Sequence, residues 1–172
     1  ERAIDLACHE GYPGHHVFNV LLEQNLVTER GWVEFQIYPL FSPQSLIAEG
    51  TANYGSKMAF TDEERYEFER EVLFPLAGLD ANEVEKYYQI QKIREKLKYA
   101  ELEIARQYLS NELSFEEASN QIQKYLQYSS DRAEQRLSFY DKYRSYTINY
   151  SLGENLISEF MEDAGRDTED RW

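Results

Sequence analysis

The chain has 172 residues, which suits one domain with a substantial core. Its 32 acidic residues outnumber its 18 basic residues, and the resulting net charge of −14 opposes binding to nucleic acid or to an anionic membrane surface. No apolar run approaches the roughly 20 residues that span a bilayer, so we expect no membrane span.

The first predicted helix runs from about Arg2 into a cluster of histidines, because apolar residues recur at helical spacing almost throughout the chain. This spacing predicts an all-α fold of about seven helices. Pro13 and Gly14 predict a kink or bulge in the first helix, because proline lacks the backbone donor that a helix needs. A helix should resume near Val17 and end before Gly31.

Capping signals mark the next helices. Ser42 followed by Pro43 predicts a helix that begins there and runs towards Met58. Asp62 is expected to cap the following helix. Asp80 with Glu83 resembles a capping box and predicts one long helix near residues 81–109, in which apolar residues keep to steps of three and four.

The second half of the chain shows the same pattern. Ser114 with Glu117 predicts a capping box and a helix to about Tyr128, and Asp131 with Glu134 predicts another helix start. The last helix should cover Tyr146 to Met161. The acidic tail at residues 162–172 is expected to fray.

The sole cysteine and the first residues of the chain bear on its cellular compartment and on whether it is part of a longer protein. Cys8 cannot form an internal disulfide, so the fold does not depend on an oxidising compartment. The localisation stays open: the cytoplasm is slightly favoured for this segment, but a signal or lipoprotein segment could lie in an N-terminal part that this sequence lacks. The chain begins without methionine and close to its most chemical motif. We therefore expect a single helical domain, residues 1–172, that forms the C-terminal portion of a longer protein.

All three histidines of the chain lie in one short segment. Its sequence is His9-Glu10-Gly11-Tyr12-Pro13-Gly14-His15-His16. Neutral imidazoles, a carboxylate and a nearby base are what a hydrolytic zinc site needs, so the clustering favours a metal site over separate surface histidines. Cys8 points about 100° away from His9 on a helix, which favours a buried core thiol over a ligand.

The spacing of the histidines does not fit a straight helix. His15 would point about 120° away from His9, and His16 would lie about 10 Å farther along the axis. A bulge at Pro13 and Gly14 removes this conflict by bringing a later histidine back beside His9. We favour His15 as the second ligand and keep His16 as the alternate.

The segment closely resembles the His-Glu-x-x-Pro-Gly-His-His signature of the family called domain of unknown function 885, whose members look like helical, zincin-like zinc metallopeptidases. Two further stretches are similar to family motifs: Ala48-Glu49-Gly50-Thr51-Ala52-Asn53-Tyr54 and Tyr146-Thr147-Ile148-Asn149-Tyr150-Ser151-Leu152-Gly153. The resemblance implies that Glu49 is the third zinc ligand. Thr51 and Tyr146 depart from the usual Trp and Gln, which bears on substrate contacts rather than on the metal.

Other residues near these motifs have two interpretations each. Glu49 lies in a largely apolar stretch, where a cation partner would relieve the cost of burying a carboxylate. Asn53, one turn later, could orient Glu49 or a histidine, or be a surface amide. Tyr150 could donate to a developing oxyanion or simply pack. Arg144 and Tyr146 could reach a substrate carboxylate, although a surface pairing of Arg144 is the commoner arrangement.

The sequence therefore predicts a zinc-dependent hydrolase, one zinc per chain, that acts on a peptide or small amide substrate. His9, His15 and Glu49 would hold the metal, Glu10 would take a proton from the attacking water, and Tyr150 would stabilise the oxyanion. Two alternatives stay open: a catalytically silent helical module that binds a partner, and a hydrolase of non-peptide amides or esters. The sequence does not indicate an oligomeric state.

Overall fold

A computed structural model describes residues 3–163, and within that range the chain is helical without any β-strand. The all-α prediction is confirmed, and seven of the described α-helices have eight residues or more. The α-helices are α1 (Ala3–Leu6), α2 (His15–Leu22), α3 (Gln44–Ala59), α4 (Asp62–Phe68), α5 (Phe74–Leu76), α6 (Val84–Glu95), α7 (Lys98–Leu109), α8 (Phe115–Leu126), α9 (Ser130–Tyr143) and α10 (Leu152–Asp163).

Shorter helical segments of other types join these helices. The segments Ala7–Gly11, Glu23–Thr28 and Glu69–Leu73 are π-helical, and Val33–Gln36, Ala81–Glu83 and Arg144–Tyr150 are 3₁₀-helical. None of the helices in the described part of the chain is both long and apolar enough to cross a lipid bilayer.

The capping predictions had mixed outcomes. Ser114 and Glu117 form the predicted box at the start of α8. Asp62 was the wrong cap for α4, because Thr61 immediately before it forms a complete capping box with Glu64. The predicted start at Asp131 was also wrong, because α9 begins earlier, where the Ser129 side chain accepts from a backbone N–H.

Two further starts differ from the sequence pattern. Asp80 caps as expected, but by accepting from the backbone of Asn82, while the Glu83 side chain pairs with Lys86. The Ser42 side chain makes no cap, and α3 begins at Gln44 after Pro43. Both helices still begin near the positions predicted for them.

The predicted long helix near residues 81–109 is interrupted at Lys96 and Leu97, which separate α6 from α7. Both residues keep right-handed backbone angles, so the three- and four-residue spacing of apolar positions continues through the bend. This is why the sequence pattern could not reveal the break.

The predicted last helix is also divided. Tyr146 belongs to the 3₁₀ segment Arg144–Tyr150, and α10 follows it as far as Asp163. The first two residues of the predicted frayed tail, Glu162 and Asp163, are therefore helical. The rest of that tail, residues 164–172, lies outside the described residues.

The main apolar core lies between α7, α8 and α9. Its fully buried members include Ala118, Ile122, Ala133, Leu137 and Tyr140. The other half of the molecule is organised around α3, which packs against α10, the 3₁₀ segment Arg144–Tyr150 and the π-helical turn Ala7–Gly11. This half carries the sequence motifs identified above.

The crossing of α3 and α10 is unusually close. A Cβ atom placed on Gly153 would lie 2.5 Å from the carbonyl oxygen of Leu46, and one on Gly50 would lie 2.5 Å from the Gly153 backbone. Only glycine at both positions allows this approach. The crossing fixes the position of α3. It therefore also fixes the positions of the side chains that α3 contributes to the site.

Candidate metal site

The histidine segment bends where the sequence predicted a bulge. After the π-helical turn Ala7–Gly11 the chain folds back on itself, and the backbone N–H of Gly14 donates to the carbonyl oxygen of Cys8 at 2.9 Å. A Cβ atom on Gly14 would lie only 2.0 Å from the carbonyl oxygen of His9. The bend therefore needs glycine at this position, and it places His15 at the start of α2 beside His9.

The two histidines are in direct contact. The rings of His9 and His15 pack edge to face, with centroids 4.7 Å apart. His16, in contrast, is exposed and belongs to no group of possible metal ligands in residues 3–163. Of the two candidates for the second ligand, the structure brings His15 to His9.

Glu49 reaches both histidines from α3. Its Oε2 atom lies 3.4 Å from Nε2 of His9, and its Oε1 atom lies 3.5 Å from Nε2 of His15. One ligand atom from each of these three residues falls within 4.8 Å of the others. We call His9, His15 and Glu49 the metal cluster.

Three features of the metal cluster are compatible with a bound zinc ion. Glu49 is 6% exposed, yet its Oε2 atom has no hydrogen-bond partner among the described residues, which is a costly state for a buried carboxylate. Zinc bonds of about 2.0–2.1 Å in a tetrahedral arrangement place neighbouring ligand atoms roughly 3.3 Å apart, close to the 3.4 and 3.5 Å that separate the Glu49 oxygens from the two imidazoles. Two imidazoles and one carboxylate are also a donor set that zinc favours.

The electrostatics of the metal cluster follow from its contacts. Burial alone would raise the pKa of Glu49, but the facing imidazoles of His15 and His9 and the hydrogen bond from Tyr146 outweigh it and hold that pKa well below its usual range. The Glu49 carboxylate beside His9 raises the pKa of His9, against the opposing effect of burial. Glu49 is therefore anionic at neutral pH, which is the state in which a carboxylate can bind a cation.

Glu10 lies beside the metal cluster without belonging to it. Its carboxylate is largely exposed, at 68% of the side chain, and its Oε1 atom lies 4.0 Å from Nε2 of His9. This is the arrangement expected of a base that follows a ligand in the chain.

The contact between Tyr146 and Glu49 was not predicted from the sequence. It was considered for a substrate carboxylate, but its buried hydroxyl donates to Oε1 of Glu49 at 2.7 Å. Burial and the charge of Glu49 raise the pKa of Tyr146, so the phenol stays protonated and keeps donating. Among 14 tyrosines, nothing in the sequence pattern distinguishes the one that meets Glu49.

Asn53 joins three parts of the site. Its Oδ1 atom lies 2.9 Å from Nδ1 of His9, and its amide nitrogen donates to the backbone carbonyl of Tyr150 at 2.6 Å. Of the alternatives left open by the sequence, the structure selects the orientation of a histidine. Cys8 is buried at 4% exposure, and burial raises its pKa, consistent with the predicted core thiol.

Tyr150 lies next to the metal cluster in the segment Arg144–Tyr150. Its ring centroid is 5.9 Å from that of Tyr146, and its hydroxyl makes no hydrogen bond within residues 3–163. Burial, followed by the charge of Glu49, raises the pKa of Tyr150 to about 12. Arg144 is exposed and does not enter the metal cluster.

The comparisons with known proteins add no relative. No protein-family model, no curated protein and no solved structure matches this chain. Any function of this chain must therefore be inferred from the residues of the site and from the resemblance of its motifs.

Proposed function

We propose that this chain is a zinc-dependent hydrolase of peptide bonds, of the kind that its resemblance to domain of unknown function 885 implies. His9, His15 and Glu49 would hold the ion. The observation that carries the proposal is the buried carboxylate of Glu49: each of its two oxygens faces one imidazole, and Oε2 lacks any hydrogen-bond partner in the described chain. A bound zinc ion would act as a Lewis acid and make water acidic enough to be deprotonated near neutral pH.

Glu10 would serve as the general base. Its carboxylate is exposed to water and lies within 4.0 Å of a ligand atom of His9, so it can accept a proton from the attacking water. The same carboxyl group, once protonated, can deliver that proton to the leaving amine. Glu49 cannot take this role, because its low pKa makes it a poor proton acceptor.

Tyr150 would stabilise the oxyanion that develops on the substrate carbonyl. With a pKa near 12 its hydroxyl is protonated at neutral pH, and no protein group in the described chain engages it. A hydrogen bond formed only in the transition state lowers the barrier without tightening substrate binding. Tyr146 is unsuited to this role, because its hydroxyl is already committed to Glu49.

Substitution of the base separates catalysis from metal binding. We expect one zinc per chain in protein prepared without chelators or an affinity-tag metal, and Glu10→Gln should keep that zinc while turnover of a peptide library falls by about 10²-fold or more. Tyr150→Phe should raise the activation barrier by roughly 2–4 kcal/mol, which lowers kcat with little change in KM.

The controls are Glu23→Gln, which removes an exposed carboxylate in the π-helical segment Glu23–Thr28, and Tyr128→Phe, which removes a phenol that packs against the apolar core of α7, α8 and α9. Both should leave turnover unchanged. Full activity of Glu10→Gln would disprove the assigned base, and loss of zinc in that variant would make Glu10 a ligand. Stoichiometric zinc without turnover of any peptide would favour the silent binding module, and turnover of esters alone would favour the non-peptide hydrolase.

A further inference from the structure

A cavity of about 220 Å³ is lined by Tyr150 and by residues of α7, α9 and α10. Charged residues from these three helices contribute to the lining: Lys98, Glu101, Arg136 and Glu154. This volume accommodates several waters or one small polar group. It is too small for a folded partner.

Tyr150 connects the cavity to the metal cluster. Tyr150 lines the cavity, its ring lies 5.9 Å from that of Tyr146, and the Tyr146 hydroxyl contacts Glu49. A substrate carbonyl that met the Tyr150 hydroxyl would therefore leave the neighbouring part of the same substrate close to the cavity.

The two carboxylates of the cavity are already neutralised. Glu101 forms a short ion pair with Arg136 and also accepts from the Tyr140 hydroxyl at 3.0 Å. Glu154 pairs with Lys57 at 2.8 Å. Neither carboxylate is left to attract a cationic ligand.

Lys98 is different, because its charge lacks a carboxylate partner in residues 3–163. Its Nζ donates to the neutral amide oxygen of Asn155 at 3.0 Å and lies 5.7 Å from the ring of Tyr99. A half-buried lysine without a carboxylate partner is unusual in a chain of net charge −14, because acidic side chains are abundant. A ligand carboxylate would supply the missing charge.

Arg136 adds a second, rigid donor. Its guanidinium packs over the rings of Phe139 and Tyr140, with centroid distances of 4.7 and 5.3 Å. Its hydrogen bond to Glu101 uses only Nε, one of the positions from which a guanidinium donates. Planar arginine forks held in this way are well suited to carboxylates.

We propose that this cavity is a substrate subsite that binds a carboxylate, so that the preferred substrates are peptides with a negative charge next to the cleaved bond. This inference rests on the proposed hydrolase function. The carboxylate could be a free C-terminus or an acidic side chain, because both present the same two oxygens to Lys98 and Arg136.

The test measures binding to metal-free protein, so that neither turnover nor ligation of a metal contributes. The probes are an N-acetylated dipeptide of neutral residues with a free C-terminus, its C-terminal amide, and an amidated dipeptide that contains glutamate. We expect the free acid or the glutamate peptide to bind at least tenfold more tightly than the neutral amide. Isothermal titration calorimetry measures these affinities. The probe that is favoured identifies the source of the carboxylate.

Variants at Lys98 make the test specific. Lys98→Gln should weaken binding of the preferred probe by roughly tenfold, the size expected for one charge-assisted hydrogen bond, and Lys98→Arg should largely restore it. The matched control is Lys124→Gln, because Lys124 also lies over the ring of the tyrosine that follows it, at 5.1 Å, but does not line the cavity.

Equal binding of all three probes, no detectable binding, or an unchanged affinity in Lys98→Gln would overturn the subsite. These results are distinguishable from a failure of the proposed function. Lys98-dependent binding in a protein without peptide turnover would disprove the hydrolase but keep the subsite. Turnover that ignores both the substrate charge and Lys98 would keep the hydrolase and disprove the subsite.

Discussion

The helices α7, α8 and α9 bury apolar side chains against one another, whereas the region around Glu49 buries polar ones. Ile122, Leu137 and Ala133 are fully buried in the first region. In the second, the buried side chains include Ser45, Glu49, Thr147 and Asn149. Apolar burial contributes most to folding stability, while buried polar groups stabilise only when each of them finds a partner.

This difference distinguishes a region that contributes stability from a region that could bind a metal ion. The apolar region needs only side chains of suitable size and shape, because hydrophobic contacts are not directional. The region around Glu49 needs particular atoms at particular distances, and it achieves them through hydrogen bonds and close backbone approaches at Gly14 and Gly153. We therefore expect substitutions in the two regions to change different measured quantities.

The largest expected effect is on zinc affinity. His15→Ala should weaken zinc binding by about 10³-fold or more, because it removes one of the three proposed ligands, while the unfolding free energy of the metal-free protein should change by less than about 1 kcal/mol. Competition with a chelating dye measures the affinity. The control His16→Ala should have a much smaller effect, and the reverse ranking would move the ligand assignment to His16.

The next effect is on stability alone. Ile122→Ala should lower the unfolding free energy by about 2–5 kcal/mol, because it leaves a cavity in a fully buried position, while the zinc affinity of the folded protein stays within about twofold. Urea denaturation, followed by circular dichroism, measures the first quantity. The exposed neighbour in Lys124→Ala should be nearly neutral. A matching loss of zinc affinity would show that the two regions do not behave independently.

The smallest expected effect is on both zinc affinity and the free energy of unfolding. Gly153→Ala places a methyl group 2.5 Å from the Leu46 carbonyl oxygen, so α10 must shift from α3 at a cost of about 1–3 kcal/mol in unfolding free energy. Zinc affinity should fall several-fold as well, because α3 carries Glu49. Gly11→Ala is the matched control, since its added Cβ meets nothing within 4 Å. Unchanged zinc affinity in Gly153→Ala would show that α3 holds its position without this crossing.

The sequence predicted the local features better than the distant ones. The bend at Gly14 and the box at Ser114 depend on neighbours in the chain, and both appear as expected. Asp62 failed as a cap because Thr61 competes for the same backbone donors one residue earlier. The approach of His15 to His9 followed from the bend, since proline and glycine identify where a helix can be interrupted.

Contacts between distant residues were beyond single-sequence reasoning. The Tyr146 hydroxyl meets a carboxylate 97 positions earlier, and the pairing depends on how α3 crosses the segment Arg144–Tyr150. The placement of Glu49 was reached only through resemblance to a family motif. The apolar stretch around Glu49 indicated a buried carboxylate, but it could not indicate which histidines would face it.

The position of Asn53 also decides where the proton of His9 resides. A backbone carbonyl can only accept, so the contact with the Tyr150 carbonyl fixes the Asn53 nitrogen on that side and turns its oxygen towards His9. Nδ1 of His9 must then carry hydrogen, which excludes the tautomer protonated on Nε2 alone. In the neutral ring, the lone pair on Nε2 points at Glu49, so a main-chain atom near the C-terminal end of the domain sets the tautomer of a histidine near its beginning.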